Sequence, residues 1–159
     1  MLAIILAAGI GQRLGNITIN KPKCLTEVNG ISILKYNLNI LDRYGFKKVI
    51  IVIGYLGRHI VNDIGILYGN LKIEYIENEI YARTNSMYSL WMAREYLAKC
   101  TLLIEGDCIF ESKIIQNVIE LPNYKSFWVV DRFTSKSEGC MLTVDVNDKI
   151  IDIKIVRDE

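Results

Sequence analysis

Short apolar runs alternate along the chain with longer segments of helical periodicity. Five runs rich in Ile, Leu and Val have the length of strands: Leu2–Leu6, Val49–Ile53, Leu71–Ile76, Thr101–Glu105 and Ser126–Val130. Strands that are apolar on both faces are typical of a parallel sheet covered by helices on both sides. The pattern predicts an α/β fold with a doubly wound, Rossmann-like, mostly parallel sheet and helices on both faces.

The segments between these runs predict the helices. They are residues 31–43, 57–68, 85–98 and 112–121. In the first segment Leu34, Leu38 and Leu41 recur on one helical face, and Gly45 supplies the stop signal.

The end of the chain has a different periodicity. Met141–Val146 and Ile150–Val156 alternate apolar with polar residues and are joined near Asn147. This pattern predicts a C-terminal β-hairpin with one solvated face. The hairpin would leave strand edges without cover, and such edges invite pairing with another chain. We expect a single domain over residues 1–159, with truncation at the C-terminus and homo-oligomer formation as open alternatives.

Composition and charge narrow the class of partner. The 159 residues include 19 basic and 18 acidic side chains, for a formal net charge of +1. This balance gives no electrostatic argument for nucleic-acid or polybasic membrane binding. No apolar run of about 18 residues occurs, so we expect no membrane span. The four cysteines are widely spaced without a CxxC pair, which favours free thiols and a cytoplasmic location.

A glycine-bearing loop follows the first predicted strand and reads Leu6-Ala7-Ala8-Gly9-Ile10-Gly11-Gln12-Arg13-Leu14. Ligands of open parallel sheets bind at the carboxyl ends of the strands. Gly9 and Gly11 let backbone N–H groups approach a phosphate, and the guanidinium of Arg13 suits phosphate oxygens. Leu14 stands where a dinucleotide fingerprint has its third glycine, and no Walker A lysine follows. A tight turn with a surface arginine is the alternative.

A second segment, Lys21-Pro22-Lys23, precedes the first predicted helix. Pro22 has a fixed φ and favours an extended conformation at Lys21, so the direction of the next side chain is restricted. Lys23 could then neutralise a phosphate. Two solvated lysines in a loop are the alternative interpretation.

Together these segments resemble a known signature. Leu6-Ala7-Ala8-Gly9-x-Gly11-x-Arg13-Leu14, then Thr18, then Pro22-Lys23 is similar to the motif of the nucleotidyltransferases that activate phosphorylated small molecules. Within that superfamily the chain most resembles the bacterial CTP:phosphocholine cytidylyltransferase-like branch. The segments that carry this likeness are Gly54-Tyr55, Asn78, Thr84-Asn85-Ser86-Met87-Tyr88-Ser89-Leu90 and Glu105-Gly106-Asp107.

The resemblance implies a role for individual residues. The nucleotide would be bound by Leu6, Ala7, Ala8, Gly9, Gly11, Arg13, Asn85 and Ser86. Arg13 and Lys23 would be catalytic, holding the triphosphate, and Asp107 would bind Mg²⁺. Asn85 also suits a plain helix cap, and Asp107 a solvated turn. Glu105 is nearer the strand interior and receives no role.

The implied reaction is transfer of CMP from CTP to a phosphorylated small molecule such as phosphocholine, with release of pyrophosphate. The product would serve cell-surface polysaccharide or lipid decoration. Two alternatives stay open: a sugar-1-phosphate nucleotidyltransferase that uses UTP or dTTP, and a CTP-binding module without turnover. The second arises because no acidic residue near the C-terminus matches the second metal ligand of the family.

Overall fold

The computed structural model describes residues 1–97, 100–121, 126–132 and 139–156. The chain forms two compact units, Met1–Asn123 and Tyr124–Glu159. Within the described residues, no helix is long and apolar enough to cross a membrane.

Nine strands and four α-helices are defined in these ranges. The strands are β1 (Leu2–Ala7), β2 (Glu27–Val28), β3 (Ile31–Ser32), β4 (Lys48–Ile53), β5 (Leu67–Tyr68), β6 (Leu71–Glu77), β7 (Thr101–Glu105), β8 (Gly139–Val144) and β9 (Ile150–Val156). The α-helices are α1 (Ile33–Arg43), α2 (Gly57–Ile64), α3 (Ser86–Met92) and α4 (Ser112–Glu120). Short 3₁₀ segments span Gln12–Thr18, Lys23–Leu25, Tyr81–Arg83 and Arg94–Tyr96.

The first unit is built on a five-stranded sheet in the order β5-β6-β4-β1-β7. β6, β4, β1 and β7 are parallel, and only the two-residue β5 runs antiparallel to its neighbour. The register places Ile4 beside both Ile50 and Leu103. The predicted mostly parallel sheet is therefore confirmed, and the carboxyl ends of β1 and β7 meet at one edge.

Helices cover both faces of this sheet, as predicted. On one face, Ile5 and Ile51 pack in a core with Leu38 of α1, Ile60 of α2 and Ile115 of α4. On the other face, a smaller core joins Ile4, Leu6, Ile50 and Val52 to Leu90 and Ala93 in and after α3. Fully burying an aliphatic side chain contributes about 1.5–3 kcal/mol, so these buried residues of β1 and β4 stabilise the centre of the sheet.

All four predicted helices are shorter than expected. The helix predicted over 31–43 begins at Ile33, because Ile31–Ser32 pair with β2 as strand β3, and the helix predicted over 112–121 ends at Glu120. The predicted helix over 57–68 ends at Ile64, because Gly65 adopts φ 74° and turns the chain into β5. The prediction of helix through residue 68 is wrong for this reason. The helix predicted over 85–98 is α3 followed by the 3₁₀ turn Arg94–Tyr96, and its last residue, 98, lies outside the described residues.

The predicted fifth parallel strand, Ser126–Val130, is wrong. These residues are irregular, and their large side chains are exposed, with Trp128 57% accessible. A strand needs a hydrogen-bonded neighbour as well as β-branched and aromatic residues. In the described ranges no strand pairs with this segment.

The described part of the second unit contains the predicted C-terminal hairpin. β8 and β9 pair antiparallel, with Leu142 opposite Ile153. The turn is closed by the carboxylate of Asp145, which accepts hydrogen bonds from the backbone N–H groups of Asn147 (2.8 Å) and Lys149 (2.9 Å). The confirmed hairpin starts two residues earlier than expected, at Gly139.

Candidate active site

A cleft of about 190 Å³ lies at the carboxyl edge of the sheet in the first unit, beyond the ends of β1 and β7. Its lining residues are Leu6, Ala7, Ala8, Gly9, Gly11, Lys23, Cys24, Asn78, Tyr81, Thr84, Asn85, Ser86, Ser89, Glu105, Gly106 and Asp107. Residues from four separate parts of the chain therefore meet at one position on the sheet edge.

The glycine loop is held by two side chains that follow it in the sequence. Gly11 has φ 72°, and a Cβ added there would lie 3.1 Å from Cβ of Lys23 and 3.2 Å from Cγ2 of Thr18. The buried hydroxyl of Thr18 donates to the carbonyls of Gly11 (3.1 Å) and Gly15 (3.3 Å). Gly9 has no atom within 4 Å of its added Cβ. The loop is thus fixed at Gly11 and open to a ligand at Gly9.

Two further glycines let neighbouring strand ends touch this loop. The N–H of Gly106 donates to Leu6 O at 2.8 Å, and the N–H of Tyr55 donates to Ala8 O at 3.1 Å. An added Cβ would lie 2.6 Å from Leu6 O at Gly106 and 2.8 Å from Ala8 O at Gly54. Only glycine fits these two contacts, so the ends of β4 and β7 fix the loop from both sides.

Lys23 and Asp107 form an ion pair across the cleft although they are 84 residues apart. Lys23 begins the 3₁₀ turn Lys23–Leu25 directly after Pro22, whose ψ of 142° keeps it outside the turn. The two side chains are 27% and 37% exposed. Pairs this exposed contribute at most about 1 kcal/mol, so a ligand can replace either partner readily.

The electrostatics of the cleft are acidic overall. Burial and the nearby charge of Asp107 raise the pKa of the Glu105 carboxyl. Burial and the same charge also raise the pKa of the Cys108 thiol. Among the lining residues, Lys23 is the single cation facing the two carboxylates. A polyphosphate would need a further positive charge to bind here.

The carboxylates of the cleft suit a magnesium ion whose remaining coordination positions are filled by a bound ligand and water. In the described residues no three His, Cys, Asp or Glu side chains form a metal cluster. Mg²⁺ commonly takes one or two carboxylates and fills its other positions with water and substrate phosphates. Asp107 provides such a carboxylate at the cleft, with Glu105 beside it on the wall. The residues present therefore suit a metal that arrives with a nucleotide.

A buried amide organises the opposite wall. Asn78 follows β6, is 1% exposed, and donates from Nδ2 to the hydroxyls of Thr84 (3.0 Å) and Ser89 (3.2 Å). Its Oδ1 accepts the N–H of Ile80 at 3.2 Å. These bonds tie both ends of the segment from Asn78 to the start of α3, which supplies Asn85 to the cleft.

Asn85 is the N-cap of α3. Its Oδ1 accepts the N–H of Tyr88 at 3.3 Å, and its backbone is extended, with φ −114° and ψ −177°. Ser86, the first residue of the helix, is exposed. The cap fixes Oδ1, so the Nδ2 group of Asn85 is the part free to meet a ligand.

Most of the predicted site residues line this cleft, and one does not. Leu6, Ala7, Ala8, Gly9, Gly11, Lys23, Asn85, Ser86 and Asp107 are lining residues. Arg13 lies exposed in the 3₁₀ segment Gln12–Thr18 and is not among them. Its phosphate role stays a prediction.

Sequence reasoning gave no role to several lining residues. They are Cys24, Asn78, Tyr81, Thr84, Ser89, Glu105 and Gly106. Asn78 and Glu105 each stand at the carboxyl end of a strand, a position that could have pointed to both. Ser89 belongs to the segment Thr84–Leu90 that carries the family resemblance, but its burial could not be predicted, because a helical serine is ordinarily solvated.

The fold is α/β, with a polar cleft at the carboxyl edge of a mostly parallel sheet, and a family comparison gives its class. The MobA-like NTP transferase domain matches residues 3–137, and the chain belongs to that family. A choline-phosphate cytidylyltransferase of Streptococcus pneumoniae (strain ATCC BAA-255 / R6) is 34% identical over 160 residues, which cover 99% of this chain and 66% of that protein.

Two other comparisons agree with this assignment. A CMP-5'-(3-aminopropyl)phosphonate synthase of Streptomyces rubellomurinus is 37% identical over 120 residues, covering 76% of this chain and 19% of that protein. The solved structure of the CTP:phosphocholine cytidylyltransferase LicC from Streptococcus pneumoniae has a TM-score of 0.79 and 29% identity, over 98% of this chain and 64% of that chain. The present chain spans less than two thirds of each of these three proteins.

Proposed function

We propose that this chain is the nucleotide-binding part of a cytidylyltransferase that transfers CMP from CTP to a phosphorylated small molecule. One observation carries the proposal: the glycine loop, Lys23, Asn85 and Asp107 all line one cleft at the carboxyl edge of the sheet. The cytidylyltransferases among its relatives support CTP as the nucleotide.

Two walls of the cleft bind different parts of the nucleotide. The backbone of Ala8 to Gly11 faces the phosphates, and the open space at Gly9 lets the chain approach them. Asn85 and Ser86 face the cytosine on the opposite wall. Because Oδ1 of Asn85 already accepts the N–H of Tyr88 at the helix cap, the Nδ2 group of Asn85 donates to a ring acceptor of the base.

The reaction needs no protein nucleophile. An oxygen of the acceptor phosphate attacks the α-phosphorus of CTP, the bond to the bridging β-phosphate oxygen breaks, and pyrophosphate leaves. Lys23 turns from Asp107 to the phosphates and neutralises the charge that develops there. Arg13, exposed on the same loop, holds the outer phosphates.

Mg²⁺ belongs to the same proposal, with Asp107 as a ligand. When bound, it would neutralise phosphate charge and orient the leaving group. The lining of the cleft carries two carboxylates and one ammonium. This excess of negative charge favours a bound cation, and Asp107 offers it an exposed carboxylate.

The acceptor is proposed as a phosphorylated alcohol, alkylphosphonate or amide of the phosphocholine type. The product would be a CDP-linked head group or its phosphonate counterpart, for cell-surface polysaccharide or lipid decoration. A cytoplasmic location is part of the proposal, because CTP is available there.

Pyrophosphate release tests the proposal. CTP, UTP and dTTP are each offered with Mg²⁺ and with phosphocholine, 2-aminoethylphosphonate or glucose-1-phosphate. We expect release with CTP and one of the first two acceptors. Lys23→Ala should lower the rate at least tenfold, whereas Lys21→Ala should not, since Lys21 pairs with Glu27 at 2.8 Å outside the cleft.

The other outcomes separate the alternatives. Release with UTP or dTTP and glucose-1-phosphate would replace the proposal with a sugar-1-phosphate nucleotidyltransferase. CTP binding without release for any acceptor would favour a binding module without turnover.

A further inference from the structure

The helix α1 carries one polar side chain inside its buried stripe. Asn37 lies among Leu34, Leu38 and Leu41, and all four are 0% exposed. An amphipathic helix ordinarily fills such a position with an apolar residue, because a buried amide must find hydrogen-bond partners. Asn37 therefore calls for an explanation beyond packing.

The amide of Asn37 is only half satisfied. Its Nδ2 donates to the carbonyl of Cys108 at 3.0 Å. Its Oδ1 is buried and, in the part of the chain that the structure describes, accepts no hydrogen bond. A buried acceptor without a partner is unfavourable, so a side chain selected for stability alone would not be an asparagine.

The bond from Asn37 reaches the loop that carries Asp107. Within that loop, the N–H of Gly106 donates to Leu6 O at 2.8 Å and the N–H of Cys108 donates to Glu105 O at 3.2 Å. The residue before Asn37 contacts the same loop, since the hydroxyl of Tyr36 donates to Phe110 O at 2.9 Å. Adjacent residues of α1 thus hold two carbonyls on the C-terminal side of Asp107.

We propose that Asn37 is a positioning residue that fixes the loop 106–110 and so directs the Asp107 carboxylate toward Lys23 and the cleft. Asn37 is not a lining residue and acts only through the backbone of Cys108. The catalytic consequence rests on the proposed function, whereas the positioning itself does not.

Hydrogen exchange on the free protein tests the positioning without any ligand. In Asn37→Leu the amide of Cys108 should exchange several-fold faster, while the amides of β1 and β4 keep their wild-type rates. The matched control is Asn39→Leu on the same helix, whose exposed side chain contacts Tyr68 instead. Tyr36→Phe, a milder change, should accelerate the same loop to a smaller degree. An unchanged Cys108 amide, or faster exchange throughout the sheet, would overturn the proposal.

Kinetics then test the consequence. A displacement of about 1 Å at reacting groups can lower a rate by about 10²-fold. We expect Asn37→Leu to lower kcat at least tenfold while the KM for CTP changes less than about twofold and the melting temperature stays near that of Asn39→Leu. Equal kcat values for the two variants would refute a positioning role in catalysis. If the wild-type protein itself released no pyrophosphate, the proposed function would fail, and the exchange rates would still decide what Asn37 does.

Discussion

Gly9 and Gly106, both at the cleft, are glycines for different physical reasons. An added Cβ at Gly106 would lie 2.6 Å from Leu6 O, whereas at Gly9 it would meet no atom within 4 Å. The fold therefore requires glycine at 106 and tolerates a side chain at 9. A glycine that the fold does not require points to close approach of a ligand.

Gly9→Ala consequently separates folding from binding. We expect a melting temperature within about 2 °C of wild type, because the methyl group meets no protein atom and alanine restricts the unfolded chain. The affinity for CTP, measured by titration calorimetry, should fall at least tenfold. Gly106→Ala serves as the comparison, since it should lower the melting temperature directly. Unchanged CTP affinity in Gly9→Ala would show that phosphates do not approach this residue.

Asp107→Asn tests the proposed metal ligand. The exposed pair with Lys23 contributes at most about 1 kcal/mol, so the variant should fold normally. The Mg²⁺ concentration for half-maximal pyrophosphate release should rise at least tenfold, since an amide binds Mg²⁺ more weakly than a carboxylate does. Asp63→Asn is the matched control, because Asp63 pairs with Lys35 at 2.7 Å away from the cleft. Equal Mg²⁺ requirements in the two variants would remove Asp107 from the metal site.

At the scale of elements, the segment between β6 and α3 depends on one buried amide. Asn78 bonds Ile80, Thr84 and Ser89, so it determines where Asn85 enters the cleft. Asn78→Ala should raise the KM for CTP about tenfold or more and reduce the preference for CTP over UTP.

The control for this prediction is a double-mutant cycle. If Asn78 acts through Asn85, the change Asn78→Ala should have little further effect on CTP in an Asn85→Ala background, because coupled residues are not additive. Additive effects of the two substitutions would mean that Asn78 affects CTP by another route.

A carboxylate joins two neighbouring strands near their amino ends, away from the cleft at the carboxyl edge. Lys48 of β4 stands opposite Lys72 of β6, and Glu74 bridges them, with Oε2 2.7 Å from Lys48 Nζ and Oε1 3.0 Å from Lys72 Nζ. Hydrogen bonds from these two lysines lower the pKa of Glu74 from its usual 4.5. Without that charge, two lysines would face each other directly.

The stability of the sheet should therefore depend on pH through Glu74. A carboxylate whose pKa is lower in the folded state stabilises fully above the unfolded pKa, and this contribution is lost as the pH falls through the folded pKa. Glu74→Gln should be less stable than wild type at pH 7 in urea unfolding, and the difference should vanish well below pH 4.5. Glu77→Gln on the same strand is the control. A difference that persists at low pH would argue against the ion pairs as its cause.

The elements that were predicted best from the sequence are those whose apolar pattern alone identifies them. The apolar residues of β1, β4 and α1 form the core of the protein, and their spacing in the sequence is sufficient to predict these three elements. The two-residue β5 was missed because Leu67 and Tyr68 continue a helical pattern, and Gly65 turns the chain before them. Ser126–Val130 was mispredicted since β propensity cannot supply a partner strand.

At the scale of the whole molecule, topology creates the site from distant segments. The parallel order β4-β1-β7 brings the glycine loop to Gly106 and Asp107, and the cleft forms where these strands end. Sequence reasoning located most of this cleft because strand ends carry the motif. It gave no role to Asn37 or Ser89, because their roles depend on which buried groups the folded chain places opposite them.

The chain covers 66% of the choline-phosphate cytidylyltransferase and 64% of the LicC chain that it matches. The single-domain organisation over residues 1–159 and the homo-oligomer remain predictions. The cleft lies within Met1–Asn123, so the proposed nucleotide binding can be tested directly on this chain.

The most direct measurement is a calorimetric titration of the wild-type chain with CTP, UTP and dTTP in the presence of Mg²⁺. We expect one CTP bound per chain, at least tenfold tighter than UTP or dTTP, with binding weakened by Gly9→Ala and by Lys23→Ala. Equal affinity for the three nucleotides, or CTP binding that neither substitution changes, would contradict the assignment of this cleft to CTP.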